Sequence, residues 1–229
     1  MFMLIDFPSH LDLREQQMDV ITTMLTEVWD EGCPHQFQLD AIYTIVFDST
    51  PAGGAPFLCL VGKTGEGKSL VLKGAATLMR GVSIFIVPLV GLGADQLSSS
   101  QRPNHRVFAY HLDEEKGRQG HSLALKLLDL KRVADGAPPD ESIIIYASPQ
   151  AFKANYLWAE CLDHLLREDL VSMIAFDEAH TIPVTGHSFR PEFVMMRDTI
   201  FQKDTRSGND IPLVAASASF TKDAQISFL

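Results

Sequence analysis

The sequence predicts an α/β domain, a doubly wound and mostly parallel sheet with helices on both faces. Three observations lead there. Short apolar runs recur along the chain, helical stretches lie between them, and the first run leads straight into a glycine-rich turn that opens a helix. The runs are continuous rather than alternating, as strands buried on both faces require, and strands that alternate with helices close a parallel sheet through right-handed crossovers.

Met18, Ile21, Leu25 and Val28 fall at helical spacing within residues 11–30, and Gly32 and Pro34 end the pattern. An amphipathic helix is expected there, inside an N-terminal helical segment covering 1–35. A second helix is expected from about Gln36 to Phe47, broken by Ser49-Thr50-Pro51-Ala52-Gly53-Gly54. The strands are Phe57–Val61, Val82–Val87, Ile143–Ala147, Val171–Phe176 and Leu213–Ala216. Between them, helices are expected over 68–80, stopped at Gly81, over about 121–134, stopped at Gly136, and over 150–168. Gly117–Gly120 and Ala134–Asp140 read as loops, and no repeat or low-complexity tract interrupts a single domain over 36–229.

Composition bounds the partners. With 46% apolar and 21% charged residues in 229, the chain is an ordinary globular one, and no run approaches the length of a membrane-spanning helix. The opening Met1-Phe2-Met3-Leu4-Ile5 lacks the basic flank and cleavage site of a signal peptide. Cys33, Cys59 and Cys161 are odd in number and widely spaced, which argues against a disulfide framework and suits an intracellular protein with no membrane partner. A net charge of −10 opposes phosphate neutralisation. The stretch from Arg102 to Arg132 is nevertheless locally basic, and it reads either as a solvated loop and helix face or as a nucleic-acid contact.

The strand Phe57–Val61 runs into Gly62-Lys63-Thr64-Gly65-Glu66-Gly67-Lys68-Ser69 and then a helix, the context in which Gly-x-x-x-x-Gly-Lys-Ser acts as a phosphate loop. Glycines let consecutive amides turn inward around an anion, and the helix N-terminus adds partial positive charge. Lys68 supplies a point charge to the β- and γ-phosphates of ATP, and the Ser69 hydroxyl is a magnesium ligand. A chance match in a chain this long has a probability of about one per cent. The strand Val171–Phe176 ends in Asp177-Glu178-Ala179-His180, where α/β sheets place ligands. There Asp177 would hold Mg2+, usually through its water shell, and Glu178 would orient and deprotonate an attacking water. His180, beside them, reads as a coupling residue.

With Gly186-His187-Ser188-Phe189-Arg190-Pro191-Glu192-Phe193 following, the chain resembles the RecQ branch of the DEAH-type superfamily-two helicases, over their first RecA-like, ATP-binding domain. Further segments fall in that family's order. Gln38 with Ala41-Ile42 is similar to the glutamine motif that recognises adenine. Val87-Pro88-Leu89-Val90-Gly91-Leu92, continuing to Asp95-Gln96, resembles motif Ia, and Tyr146-Ala147-Ser148-Pro149-Gln150 resembles motif Ib. Ala216-Ser217-Ala218-Ser219 resembles motif III. The resemblance implies a RecA-like P-loop NTPase fold, ATP and Mg2+ as cofactors, and single-stranded or forked DNA as partner, with RNA left open. It implies strand contacts through Pro88, Leu89, Ser148, Pro149, Phe189 and Arg190, and coupling through His180, Ser217 and Ser219. A nuclear location follows if the source is eukaryotic.

Some positions depart from the family. Val184-Thr185 stand where Gln-Trp is usual, Gln150 replaces an acid in motif Ib, and the usual Phe-Arg pair before Gln38 is missing. The 229 residues hold no second RecA-like domain, which the resemblance implies supplies an arginine finger in cis. The expectation is an ATP-dependent DNA helicase domain that hydrolyses slowly and does not unwind alone. The alternatives are a catalytically weak or degenerate nucleotide-dependent nucleic-acid-binding module, and an ATPase that moves protein.

Overall fold

The structure is a computed structural model, and it describes residues 10–48, 57–87, 96–115, 117–133, 138–179 and 211–218. Two helices come first, α1 (His10–Trp29) and α2 (Gln36–Val46). Then follow β1 (Phe57–Val61), α3 (Lys68–Met79), β2 (Gly81–Ile86), a 3-10 turn (Pro103–His105) and β3 (Val107–His111). The remainder is α4 (Gly117–Asp129), β4 (Ser142–Ala147), α5 (Pro149–Ala154), α6 (Tyr156–Arg167), β5 (Val171–Phe176) and β6 (Leu213–Ser217).

The strands form one six-stranded sheet in the order β1-β6-β5-β2-β4-β3. Every strand pairing in it is parallel; an isolated antiparallel bridge, Arg102 to Val107, lies at the β3 edge. Successive residues of a strand face opposite sides, and the central strands supply both. Val82, Ile84, Ile86, Ile143, Ile145, Ile174 and Phe176 pack on one side with Leu123, Leu127, Trp158 and Leu165 of α4 and α6. Phe85, Ile144, Tyr146, Met173 and Ala175 pack on the other with Val71 and Leu72 of α3 and Ile42 of α2. The doubly wound expectation holds, and the continuous apolar runs are its cause.

The N-terminal helix joins the same core. Ile21, Met24, Leu25 and Trp29 are buried in the cluster that contains α3. The Trp29 ring lies under the Lys73 ammonium (5.6 Å) and the Arg102 guanidinium (5.0 Å), and its indole N–H donates to Thr77 Oγ1 at 3.2 Å. Arg102 also donates from Nε to the Val28 carbonyl at 2.9 Å, so α1 is stitched to the body of the domain.

Three expectations need correction. Residues 107–111, read from sequence as part of a basic loop and helix face, form β3. This edge strand alternates, burying Val107, Ala109 and His111 while Phe108 and Tyr110 are half-buried, so a search for continuous apolar runs passes over it. The helix expected over 121–134 occupies Gly117–Asp129, taking in the Gly117–Gly120 stretch expected to be a loop. A Cβ on Gly120 would lie 2.7 Å from the Glu115 carbonyl oxygen, so this glycine serves close packing of the helix's first turn. The helix expected over 150–168 is two, parted at Asn155, whose extended backbone ends α5 and whose Oδ1 accepts from Leu157 N–H at 3.0 Å to cap α6.

Candidate nucleotide-binding site

β1, β6 and β5 lie side by side, and their C-terminal ends carry the phosphate loop, Ser217 and Asp177 respectively. Two strand spacings separate β1 from β5, about 10 Å. Gly62 N–H donates to the Ser217 carbonyl at 3.2 Å, joining the start of the phosphate loop to the strand between. Ser217 itself is fully buried.

The loop adopts the backbone its glycines permit. Gly65 and Gly67 have φ of 87° and 82°, in the left-handed region. Gly67 is the N-cap of α3, so the amides that follow it point out of the helix start. Lys63 N–H donates to Glu66 Oε2 at 2.7 Å, closing the turn on itself. The Lys68 side chain folds back over the loop, and its ammonium donates to the carbonyls of Gly62 (2.6 Å) and Lys63 (2.8 Å). This holds a positive charge across the mouth of the loop. Thr64 lies in the exposed turn, and Ser69 is half-buried in the first turn of α3.

Gln38 is 2% exposed and packs against the loop from α2. Its Oε1 accepts from His35 N–H at 2.8 Å, half of a capping box at the start of α2. Its amide nitrogen stands so close to Gly67 that a Cβ there would overlap it. Gln38, matched by resemblance to an adenine reader, thus caps α2 and fixes α2 against Gly67.

Asp177 is 5% exposed, and three contacts set its place. Its backbone N–H donates to the Ile86 carbonyl at 3.0 Å, its Oδ1 accepts from Glu178 N–H at 2.9 Å, and its Oδ2 accepts from Gln96 Nε2 at 2.6 Å. Glu178 has a φ of 50°, a left-handed conformation that a non-glycine residue adopts at the expense of about 1–2 kcal/mol. Behind the carboxylate, the Lys73 ammonium donates to Ser99 Oγ at 2.7 Å, and Ser99 Oγ donates to the Gln96 carbonyl at 3.0 Å. The Lys73 pKa is drawn down to about 8, by burial first and by the Arg102 charge second, with the Asp177 carboxylate opposing both. Ser100 Oγ bonds both the Gln96 carbonyl and Tyr146 Oη, and burial pushes the Tyr146 phenol well above its ordinary range.

Ser148, at the end of β4, is buried and committed to Asp113. Its hydroxyl donates to Asp113 Oδ1 at 2.6 Å and its amide to Oδ2 at 2.8 Å. Pro149 opens α5. The basic stretch is partly consumed within the fold: Arg106 donates from Nε to the Asp140 carbonyl at 2.5 Å, and Lys126 pairs with Glu141 at 3.3 Å over the Phe108 ring. Pro88, Leu89, His180, Phe189, Arg190 and Ser219 lie outside the described residues, as do Val184 and Thr185. Sequence reasoning missed Gln96, Lys73 and Asp113 as partners of site residues. Only Gln96 carried a signal, as the end of the motif Ia match.

Curated proteins similar in sequence agree with one another. The chain is 28% identical over 214 residues to the ATP-dependent DNA helicase hus2/rqh1 of Schizosaccharomyces pombe, covering 86% of this chain and 14% of that protein. It is 29% identical over 170 residues to the ATP-dependent DNA helicase RecQ of a Synechocystis species, covering 73% of this chain and 32% of that one. In sequence, then, the chain is similar to RecQ-family helicases. A third relative, ATP-dependent DNA helicase Q-like 2 of Arabidopsis thaliana, is 27% identical over 163 residues, 70% of this chain and 21% of that protein. The RecQ-like chain thus spans about a third or less of these relatives' lengths. No protein-family model matches it. Among solved structures, the yeast DEAD-box splicing factor Prp28 superposes with a TM-score of 0.60 at 12% identity, over 97% of this chain and 48% of that one. The Pyrococcus furiosus Hef helicase domain gives 0.54 at 19% identity, over 85% of this chain and 35% of that one. These two likenesses establish the fold, that of a RecA-like α/β domain.

Proposed function

We propose that this chain binds Mg-ATP at the ends of β1 and β5 and hydrolyses it slowly, as the first RecA-like domain of a RecQ-like DNA helicase. The observation that carries the reading is the juxtaposition of a left-handed glycine loop, a lysine ammonium held across its mouth, and a buried aspartate two strands away. Backbone amides at the start of α3 and the Lys68 ammonium would bind the β- and γ-phosphates, Lys68 exchanging two carbonyl acceptors for phosphate oxygens. The donor set suits magnesium, which keeps several waters and takes few protein ligands: the Ser69 hydroxyl and the Asp177 carboxylate are oxygen donors. The ion, when bound, would neutralise charge that develops on the phosphates. Glu178 would orient the attacking water and accept its proton.

Single-stranded or forked DNA is the partner this reading gives the chain, with RNA as a comparison ligand. A second RecA-like domain in cis would complete the site, and alone the chain should not unwind a duplex. The test is ATP turnover with and without single-stranded DNA, beside Lys68→Ala and Glu178→Gln. Slow turnover that DNA raises and both substitutions remove supports the reading. Nucleotide binding with turnover that neither substitution changes would overturn the catalytic part and leave a nucleotide-dependent binding module.

A further inference from the structure

We infer that Gln96 is a positioning residue for the magnesium face of Asp177, and that through it the end of the motif Ia match is tied to the nucleotide site. The inference rests on the proposed Mg-ATP reading and adds a residue to it.

Asp177 is almost wholly buried, so water cannot orient its carboxylate. Two donors do so instead, one on each oxygen: the neighbouring amide of Glu178 at 2.9 Å and the side chain of Gln96 at 2.6 Å. The first is local and accompanies any Asp-Glu step with this backbone. The second comes from 81 residues away and is the tightest side-chain hydrogen bond that Asp177 makes among the described residues. A glutamine amide suits this place chemically. It donates without adding charge, leaves the carboxylate ionised, and leaves each oxygen a second lone pair for a hydrated cation.

Gln96 is itself held. Its backbone carbonyl accepts from both Ser99 and Ser100 hydroxyls. Ser99 is fixed by the Lys73 ammonium at 2.7 Å, and Ser100 bonds the buried Tyr146 hydroxyl at 2.9 Å. Tyr146 in turn lies edge-on to Phe85, ring centroids 5.3 Å apart, in the centre of the sheet. Asp177 is thus referenced through Gln96 to α3, β4 and β2 together. In sequence, Gln96 follows the Pro88 and Leu89 that the resemblance assigns to strand contact.

Gln96→Met keeps the length of the side chain and removes the donor; Gln96→Glu replaces the donor with a second carboxylate. The readout is binding of a fluorescent ADP analogue to the 229-residue chain, titrated with Mg2+ and repeated with the metal chelated. Gln96→Met should raise the half-saturating Mg2+ about tenfold, as loss of a partner to a metal-holding carboxylate typically does. Metal-free nucleotide binding and the thermal midpoint without nucleotide should stay near wild type. Gln96→Glu should weaken Mg2+ binding at least as much. An unchanged Mg2+ midpoint in Gln96→Met would overturn the inference, as would an equal loss of metal-free nucleotide binding, which marks a merely structural role. If wild type shows no Mg2+-dependent nucleotide binding, the Mg-ATP reading falls and this inference with it; a working wild type with an indifferent Gln96→Met removes this inference alone.

Discussion

Substituting alanine at the three glycines of the phosphate loop should give three different stability losses, because each glycine is there for a different reason. Gly62 has an ordinary backbone, and a Cβ on it would crowd Glu66 Oε2, at 2.7 Å, the far end of a flexible side chain, while Phe37 and Lys68 would lie at ordinary contact distances of 3.6 and 3.8 Å. Gly62→Ala should therefore cost about 1 kcal/mol or less, the value of one displaced hydrogen bond. Gly65 sits at φ 87° with open space around it, so alanine there meets conformational strain alone, about 1–2 kcal/mol. Gly67 combines both terms. At φ 82° it carries the same strain, and its Cβ would also displace the buried Gln38 amide that caps α2. Loss of a helix cap adds about 1–2 kcal/mol, for a total of about 2–4 kcal/mol.

Urea unfolding followed by tryptophan fluorescence measures these differences, since Trp29 and Trp158 are both buried. The decisive comparison is a double-mutant cycle with Gln38→Ala. With Gln38 truncated, Gly67→Ala meets strain only and should fall to about the loss of Gly65→Ala. A coupling of about 1 kcal/mol or more is expected, beyond the ~0.5 kcal/mol within which independent sites add. Additive losses, or a Gly67→Ala no worse than Gly65→Ala, would refute the close approach of Gln38 to the loop.

Two further substitutions probe buried polar groups. Lys73 has a pKa of about 8 in the folded chain against 10.5 ordinarily, so between those values the unfolded chain binds more protons and stability rises with pH. Lys73→Met should remove that rise, and melting curves of both proteins between about pH 7.5 and 10.5 check it; parallel curves would show that the lysine keeps its ordinary pKa. His111 is fully buried, and among the described residues neither ring nitrogen has a hydrogen-bond partner, although Glu114 and Asp113 carboxylates lie 3.6 and 3.9 Å away. His111→Leu should stabilise the domain by about 1 kcal/mol, because an unsatisfied buried polar group is replaced by an apolar one. A loss of stability instead would mean that the ring contributes net stability through its contacts with those carboxylates.

Five of the six strands were legible in the sequence as continuous apolar runs. Strands buried on both faces have to be continuously apolar, and Val82–Val87, Ile143–Ala147, Val171–Phe176 and Leu213–Ala216 are; Phe57–Val61 is continuously apolar as well, although it forms a sheet edge with Leu58 and Cys59 half-buried and Val61 exposed. β3 lacked that signature because it alternates: Val107, Ala109 and His111 turn into the core, while Phe108 and Tyr110 are half-buried. The split at Asn155 was equally hidden: a helix-period pattern runs through it, and a single side-chain cap decides where α6 begins.

The order of motifs along the chain, and hence the resemblance to RecQ helicases, belongs to the sequence alone. Glycine, lysine and serine at fixed spacing after a buried strand specify a phosphate loop whatever lies around them, because backbone conformation and local charge do the binding. The partners of the site residues were decided only by tertiary structure. The sheet order puts β5 two strands from β1, Gln96 reaches Asp177 across 81 residues of chain, and Gln38 meets Gly67 because α2 packs on α3. Such contacts join residues with no fixed separation in sequence. They exist only when several elements have packed at once, and no local pattern records them.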